Sequence, residues 1–211
     1  INASNLTVSD ASNIGGFIGL VEGLDKLTLL GENGTTNTFT LKAPKINSSN
    51  KDLNVGGMIG SVVGNSGNTD ISTAQSGNTG SDNFSMTLHV IITPNNESSA
   101  NADYYYGGVA GQSQQALPIS RTTVELTVDV ADSQNTYIGG AVGYLKSSEE
   151  TKIADLKSTV TVNSSTDEDN PITIGSTQIG GVIGNLQSSA STTISDLTST
   201  VTVNGSDDAN N

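Results

Sequence analysis

The hydrophobic and polar positions of this chain follow a pattern of apolar-Gly-Gly-apolar-apolar-Gly that occurs five times. The copies begin at Ile14, Val55, Tyr106, Ile138 and Ile179, so that successive copies start 41, 51, 32 and 41 residues apart. A motif that returns at such spacing is typical of a repeat protein, in which each repeat packs on its neighbours. The sequence therefore predicts a single repeat domain over 1–211. Its repeats cover approximately 14–54, 55–105, 106–137, 138–178 and 179–211.

The glycines of these copies indicate a required backbone geometry. Fifteen of the 24 glycines lie at the fixed motif positions. Because glycine permits positive φ and close backbone approach, we predict a bulge or tight bend at each Gly-Gly pair. At least one glycine of each pair should have positive φ or lie where a Cβ would strike the next coil. These structural glycines are Gly15, Gly16, Gly19, Gly56, Gly57, Gly60, Gly107, Gly108, Gly111, Gly139, Gly140, Gly143, Gly180, Gly181 and Gly184.

The fourth and fifth repeats match at a constant offset of 41 and predict three extended segments per repeat. In the last segment Val160 and Val162 alternate with Thr159 and Thr161, which is the period of a half-buried β-strand. We therefore predict an all-β fold, a parallel β-solenoid (β-helix) with one three-sided coil per Gly-Gly repeat. Stacked coils would form one inner apolar ladder from Phe39, Leu88, Val128, Val160 and Val201.

The middle segment is harder to assign. It has an Ile-x-x-Leu character at Ile153…Leu156 and Ile194…Leu197, and a related Leu27…Leu30 in the first repeat. A spacing of three fits one helical turn as well as an irregular strand. Both alternatives stay open at this point. Elsewhere the frequent Gly, Asn, Ser and Thr interrupt every helical stripe after one turn.

Composition and charge narrow the classes of function. The net charge of −13, with one arginine and seven lysines, argues against nucleic acid and against anionic membrane surfaces as partners. No stretch approaches the roughly 20 apolar residues of a membrane span, and no signal peptide begins the chain. Cysteine is absent, so thiol chemistry and disulfides are excluded. This composition fits an exported bacterial surface protein, and the uncapped ends suggest a fragment of a longer repeat array.

Catalytic chemistry has little support in the sequence. His89 is the only histidine and falls on a Thr-rich strand, and the carboxylates scatter over turns instead of forming a close pair. Thr166–Asn170 collects oxygen ligands without calcium-loop spacing, so a solvated acidic loop is favoured. Thr159/Thr161 and Thr200/Thr202 resemble an ice-binding row that Asp129 and His89 would interrupt. We expect no enzyme activity, no cofactor and no metal.

The tyrosines are the candidate binding residues. All five lie between Tyr104 and Tyr144, and the glycine frame puts Tyr105 and Tyr137 at the same position of adjacent repeats. We predict that these two rings project from one side with centres within about 7 Å. An aromatic surface of Tyr104, Tyr105, Tyr137 and Tyr144 would suit a sugar or a partner protein. The alternative is that Tyr106 points inward and its neighbours only cover the sheet.

The glycine frame and the downstream Ile-x-x-Leu resemble the GLUG repeat of large bacterial surface proteins. In that motif Gly-Gly-Leu-Val-Gly precedes a polar turn and an Ile-containing strand, and the leucine position here holds Phe17, Met58, Val109, Ala141 and Val182. The resemblance implies β-solenoid coils on the bacterial cell surface and brings no catalytic residues. It leads us to expect a non-catalytic stalk or binding module of an adhesin that contacts a glycan or protein of a host or neighbouring cell. The alternatives are an accessory region of a secreted protease or carbohydrate-active enzyme, and an ice-binding or self-associating fibre segment.

Overall fold

The structure, a computed structural model, describes the side chains of residues 13–22, 52–64, 103–129, 135–163 and 177–204. It describes the backbone alone of strand residues 2–4, 7–9, 26–28, 36–47, 68–70, 83–93, 130 and 164. The elements in these ranges are all β-strands, so none of them is a helix that could span a membrane. In chain order they are β1 (Asn2–Ser4), β2 (Thr7–Ser9), β3 (Asn13–Gly15), β4 (Ile18–Glu22), β5 (Lys26–Thr28), β6 (Thr36–Asn47), β7 (Leu53–Gly56), β8 (Ile59–Val63), β9 (Asn68–Asp70), β10 (Asn83–Thr93), β11 (Asp103–Gly107), β12 (Ala110–Ser113), β13 (Ile119–Val130), β14 (Asn135–Gly139), β15 (Val142–Ser147), β16 (Thr151–Ser164), β17 (Thr177–Gly180), β18 (Ile183–Ser188) and β19 (Thr192–Asn204).

Each repeat contributes one strand to each of three parallel sheets. The long sheet has the order β1-β6-β10-β13-β16-β19, with β2 also paired to β6. The first short sheet runs β3-β7-β11-β14-β17, and the second short sheet runs β4-β8-β12-β15-β18. Strands β5 and β9 form a further parallel pair. Strand order follows repeat order in every sheet, which confirms an all-β fold with parallel sheets and is compatible with a β-helix.

The Gly-Gly bend separates the two short sheets. Strand β14 ends and β15 begins on either side of a bend at Gly140 and Ala141. The Ala141 carbonyl oxygen accepts hydrogen bonds from the backbone N–H groups of Val109 and Ala110, at 2.9 and 3.0 Å. Equivalent carbonyls that accept two such N–H groups belong to Met58, Val109 and Val182. The bends of consecutive repeats therefore stack through hydrogen bonds of their own.

Close backbone approach explains the first and the third glycine of each motif copy. Among the glycines that the structure describes, Gly64 alone has positive φ (132°), and it lies outside the motif copies. A Cβ on Gly139 would overlap the Val142 carbonyl oxygen across the bend. A Cβ on Gly143 would lie 2.6 Å from the Tyr106 backbone nitrogen, in the preceding repeat of the other short sheet. The two short sheets thus meet backbone to backbone, which only residues without a side chain allow.

The predicted inner ladder needs a correction in register. Val160 and Val162 are buried and Thr159 is exposed, as the alternation predicts. Val160 pairs with Val201, but on the other side it pairs with Leu126, and Val128 pairs with Val162. Phe39 pairs with Met86, whereas the register partner of Leu88 is Leu41. The prediction for Phe39 and Val128 was wrong by two residues, because a shift of two preserves the face on which every side chain lies.

In the third, fourth and fifth repeats the middle and last segments form one continuous strand, so the prediction of separate segments is wrong there. In the first repeat the middle segment is β5, which is separate from β6. In β16 the pairing to β13 and β19 passes over Asp155, whose φ is 50°. Ile153 and Leu156 are both buried although they are three residues apart. The left-handed residue between them shifts the alternation by one, which produces the Ile-x-x-Leu spacing. Equivalent left-handed residues in β13 and β19 are Arg121 (φ 49°) and Asp196 (φ 52°).

Candidate functional site

The tyrosines of β11 and β14 occupy two faces of the first short sheet. In β11 the side chains of Tyr104 and Tyr106 are buried at 3% and 0% exposure, with ring centres 6.5 Å apart in an edge-to-face arrangement. Tyr105 lies between them and, because side chains alternate along a strand, projects from the opposite face. Tyr105 pairs in register with Tyr137 of β14. Tyr104 belongs to the hydrophobic core, so its prediction as a surface binding residue is wrong.

Tyr105, Tyr137 and Tyr144 form one aromatic group, which we call the tyrosine cluster. The rings of Tyr105 and Tyr137 are stacked, with centroids 5.1 Å apart and planes at 12°. This confirms the predicted proximity of the two rings. Tyr144 of β15 lies 5.3 Å from Tyr105 and 6.3 Å from Tyr137, tilted against both. The Gly-Gly bend between β14 and β15 turns the chain back and brings Tyr144 to the stacked pair.

The three rings differ in exposure. Tyr105 is only 7% exposed and forms the base of the cluster. Tyr137 and Tyr144 are partly exposed and supply its accessible aromatic surface. The next register partners of Tyr137 and Tyr144 are Gln178 on β17 and Asn185 on β18, and the Asn185 Nδ2 donates a 2.7 Å hydrogen bond to Gln178 Oε1. The aromatic surface therefore ends at a polar amide pair.

Carboxylates line the edge of the cluster beside Tyr105. The Tyr105 hydroxyl donates to Asp103 Oδ2 at 3.2 Å, and Asn135 Nδ2 donates to Asp103 Oδ1 at 3.0 Å. The backbone N–H of Asp103 donates in turn to Asp52 Oδ1 at 3.0 Å. Asp103 is one of the carboxylates that scatter over turns in the sequence, and Asp52 was not predicted as a site residue. Alignment on the glycine motif would have grouped these polar residues, because each lies three residues before a motif copy: Asp52, Asp103 and Asn135.

A second polar edge lies beside Tyr144. Its hydroxyl donates a 3.0 Å hydrogen bond to Oε1 of Gln187 on β18. Gln187 is exposed, as is Gln178 on β17. The cluster is thus framed by carboxylates on one edge and amides on the other, which provides both hydrogen-bond acceptors and donors.

Burial and negative charge keep the phenols protonated. Burial raises the pKa of Tyr105, and the charge and hydrogen bond of Asp103 raise it further. The pKa of Tyr137 is raised by burial and then by Asp103 and Tyr144. The pKa of Tyr144 is raised by burial and then by Asp103. All three hydroxyls are protonated at neutral pH, and those of Tyr105 and Tyr144 donate to Asp103 and Gln187.

The other candidate features add no chemistry to this site. Within the described ranges, no group of three or more His, Asp or Glu residues could hold a metal ion. The acidic run Thr166–Asn170 and the side chain of His89 lie outside the residues whose side chains are described. The backbone register places His89 beside Thr127, in line with Thr161 and Thr202, as an interruption of that row.

The predicted interruption by Asp129 is wrong. Asp129 pairs with Asn163 and so lies in a different row from the threonines. The Asn163 side chain donates a 2.6 Å hydrogen bond to its carboxylate. The residue that interrupts the row of Thr159 and Thr200 is instead Glu125.

Comparison with protein-family models, curated proteins and solved structures finds no match to this chain.

Proposed function

We propose that this chain is a non-catalytic stalk and binding module of a bacterial surface adhesin. In this proposal the three parallel sheets close into a β-solenoid with one three-sided coil per Gly-Gly repeat. Five GLUG-like glycine frames and an acidic, cysteine-free composition support an extracellular location. The stacked repeats would hold a binding surface away from the cell, and the tyrosine cluster would contact a glycan or protein of another cell.

The observation that carries the proposal is the partly exposed aromatic surface of Tyr137 and Tyr144 between two polar edges. The C–H faces of a sugar ring pack on aromatic rings, and its hydroxyl groups need neighbouring donors and acceptors. Asp103 accepts hydrogen bonds at one edge, and the exposed amides of Gln178 and Gln187 can donate or accept at the other.

Charge limits the ligand to neutral or basic groups. The chain carries a net charge of −13, and Asp52 and Asp103 add their carboxylates at the cluster itself. Sulfated or otherwise polyanionic chains would be repelled. A neutral glycan fits both the aromatic surface and the hydrogen-bonding edges, and we take it as the primary ligand class.

The test is a glycan array and a cell-binding assay with the Tyr137→Ala/Tyr144→Ala double variant. We expect binding to fall at least tenfold, because the variant removes both accessible rings and leaves Tyr105 below them. Phe17→Ala is the matched control, since Phe17 is a 50% exposed aromatic residue in the first repeat, away from the cluster. Undiminished binding by a folded double variant would remove the tyrosine cluster as the binding site.

A further inference from the structure

The carboxylate edge of the tyrosine cluster is a row of polar residues on the first short sheet. Asp103 and Asn135 are register partners on β11 and β14, and Asp52 directly precedes β7 of the same sheet. Asp103 lies two residues before Tyr105 and, because side chains alternate along a strand, projects from the same face. The Asp103 carboxylate therefore lies beside the aromatic rings.

The Asp103 carboxylate can accept a further hydrogen bond. Its Oδ2 accepts from the Tyr105 hydroxyl at 3.2 Å, and its Oδ1 accepts from Asn135 Nδ2 at 3.0 Å. An ionised carboxylate has about four lone-pair sites, so each oxygen keeps one after these two hydrogen bonds. Because Asp103 is partly exposed, a donor on a ligand can reach it without displacing Tyr105 or Asn135.

The negative charge of Asp103 acts on all three rings of the cluster. After burial, it is the next cause that raises the pKa values of Tyr105, Tyr137 and Tyr144. The charge of Asp52 also raises the pKa of Tyr105. The hydroxyl ends of the three rings therefore lie in the negative field of this edge.

Aromatic rings next to a carboxylate favour a cationic group. The faces of aromatic rings are negative, and they attract an ammonium group within about 6 Å of the ring centre. The planes of Tyr137 and Tyr144 are 55° apart, so a group at the edge of one ring lies nearer the face of the other. The net charge of −13 adds a long-range attraction for cations.

We propose that Asp103 and the rings of Tyr137 and Tyr144 form a subsite for an ammonium group on the bound glycan. This rests on the proposed function, because the sugar ring brings the ammonium group to the cluster. A neutral glycan keeps its contacts to the rings and amides, and a free amino group adds to them. Glycans with a free amino group should bind about fivefold more tightly than their N-acetylated counterparts, which lack the charge.

Lys146 provides a second, opposite test of the same charge effect. It follows Tyr144 by two residues on β15, is exposed and projects from the same face of that strand. Its positive charge opposes a cationic ligand. Removal of the Lys146 charge should therefore increase the preference for the amino form, whereas removal of the Asp103 charge should abolish it.

The experiment is a glycan array that carries each amino sugar both with a free amino group and N-acetylated. The pairs that bind are then titrated and followed by intrinsic fluorescence. The chain has no tryptophan, and all five tyrosines lie between Tyr104 and Tyr144. The fluorescence signal therefore comes from the cluster and its two buried neighbours in β11.

Three variants show which charge produces the preference. Asp103→Asn should abolish it and leave the affinity for the N-acetylated form unchanged, because the amide keeps an oxygen for the Tyr105 hydroxyl. Lys146→Gln should increase it. The matched control is Glu125→Gln, which removes one negative charge from an exposed side chain of β13 in the long sheet and should keep the native preference.

The outcomes separate this proposal from the proposed function. Binding of N-acetylated glycans without tighter binding of the amino forms overturns the ammonium subsite and leaves the glycan site in place. No binding to any glycan on the array overturns both. An equal loss of preference in Glu125→Gln would mean that net charge alone attracts the amine, which also overturns the subsite. Tighter binding of tetralysine than of every amino glycan would assign the carboxylate edge to a basic peptide instead.

Discussion

The fourth and fifth repeats carry closely similar sequences and differ in what covers them. Val160 in β16 is 0% exposed, whereas its register partner Val201 in β19 is 43% exposed. Strand β16 lies between β13 and β19, while β19 is the last strand of the long sheet. The comparison teaches that position in the stack, and not residue identity, decides how much apolar surface a repeat buries.

The largest expected effect tests this difference in burial by placing a charge at each of the two equivalent positions, Val160 and Val201. Val160→Asp should lower the free energy of unfolding by about 4 kcal/mol or more, because it buries an unpaired carboxylate. Val201→Asp should lower it by about 1 kcal/mol or less, because the side chain can reach water. Chemical denaturation at a concentration that keeps the chains monomeric measures both values. An equal loss in the two variants would contradict the difference in burial.

The same comparison can be made with the motif glycines of an inner and an outer repeat. Gly143→Ala should cost about 3 kcal/mol, because its Cβ would lie 2.6 Å from backbone atoms of Gly111 and Tyr106. Gly19→Ala should cost less than about 1 kcal/mol, since its nearest atom is the Asn13 carbonyl oxygen at 3.1 Å and the next lies at 3.9 Å.

Thermal denaturation of the two glycine variants gives the measurement. The native chain and each variant should keep the same circular dichroism spectrum before the transition, so that the shift in Tm reports stability. A larger shift for Gly19→Ala than for Gly143→Ala would mean that close approach of the short sheets is not what requires glycine.

Sequence reasoning was sufficient for those features of the fold that repeat. Five matched glycine frames and the alternation around Val160 predicted parallel strands and the buried face. It was insufficient for register, because a two-residue slip at Val128 leaves every side chain on its predicted face. It also missed the left-handed residue at Asp155, although aspartate is enriched in that conformation and Asp196 stands at the equivalent position of the next repeat.

Of the candidate site, only the pair of tyrosines in the first short sheet was predicted from the sequence. Tyr105 and Tyr137 could be paired because they hold the same position of adjacent repeats. Tyr144 joins them from the second short sheet, and its approach depends on how sharply the Gly-Gly bend folds back. Tyr104 was wrongly placed on the surface, although Tyr106 fills the apolar position of the motif and the two-residue period of a strand puts Tyr104 on the same face as Tyr106. Exposure at the stack ends was also hidden, because Val160 and Val201 have the same sequence surroundings.

The smallest expected effect is a change in how stability depends on pH, and it arises from the tyrosine cluster of the inner repeats. A tyrosine in the unfolded chain loses its proton near pH 10. The pKa values of Tyr105, Tyr137 and Tyr144 are raised in the folded chain, by burial first and by Asp103 next. Above about pH 10 the folded state therefore keeps protons that the unfolded state has released. Stability from these groups is complete below about pH 10 and is lost as the pH rises through the folded pKa values.

We therefore expect the alkaline loss of stability to depend on the tyrosine cluster. Tyr105→Phe removes the most buried of its phenols, so the free energy of unfolding should fall less steeply above about pH 10 than in the native chain. Gln178→Ala, at the register partner of Tyr137, removes no titrating group and should leave the slope unchanged. Denaturant unfolding at a series of alkaline pH values measures the slopes. Identical slopes for native chain and Tyr105→Phe would contradict a raised pKa at Tyr105, because a phenol with an ordinary pKa contributes nothing to the difference between folded and unfolded states.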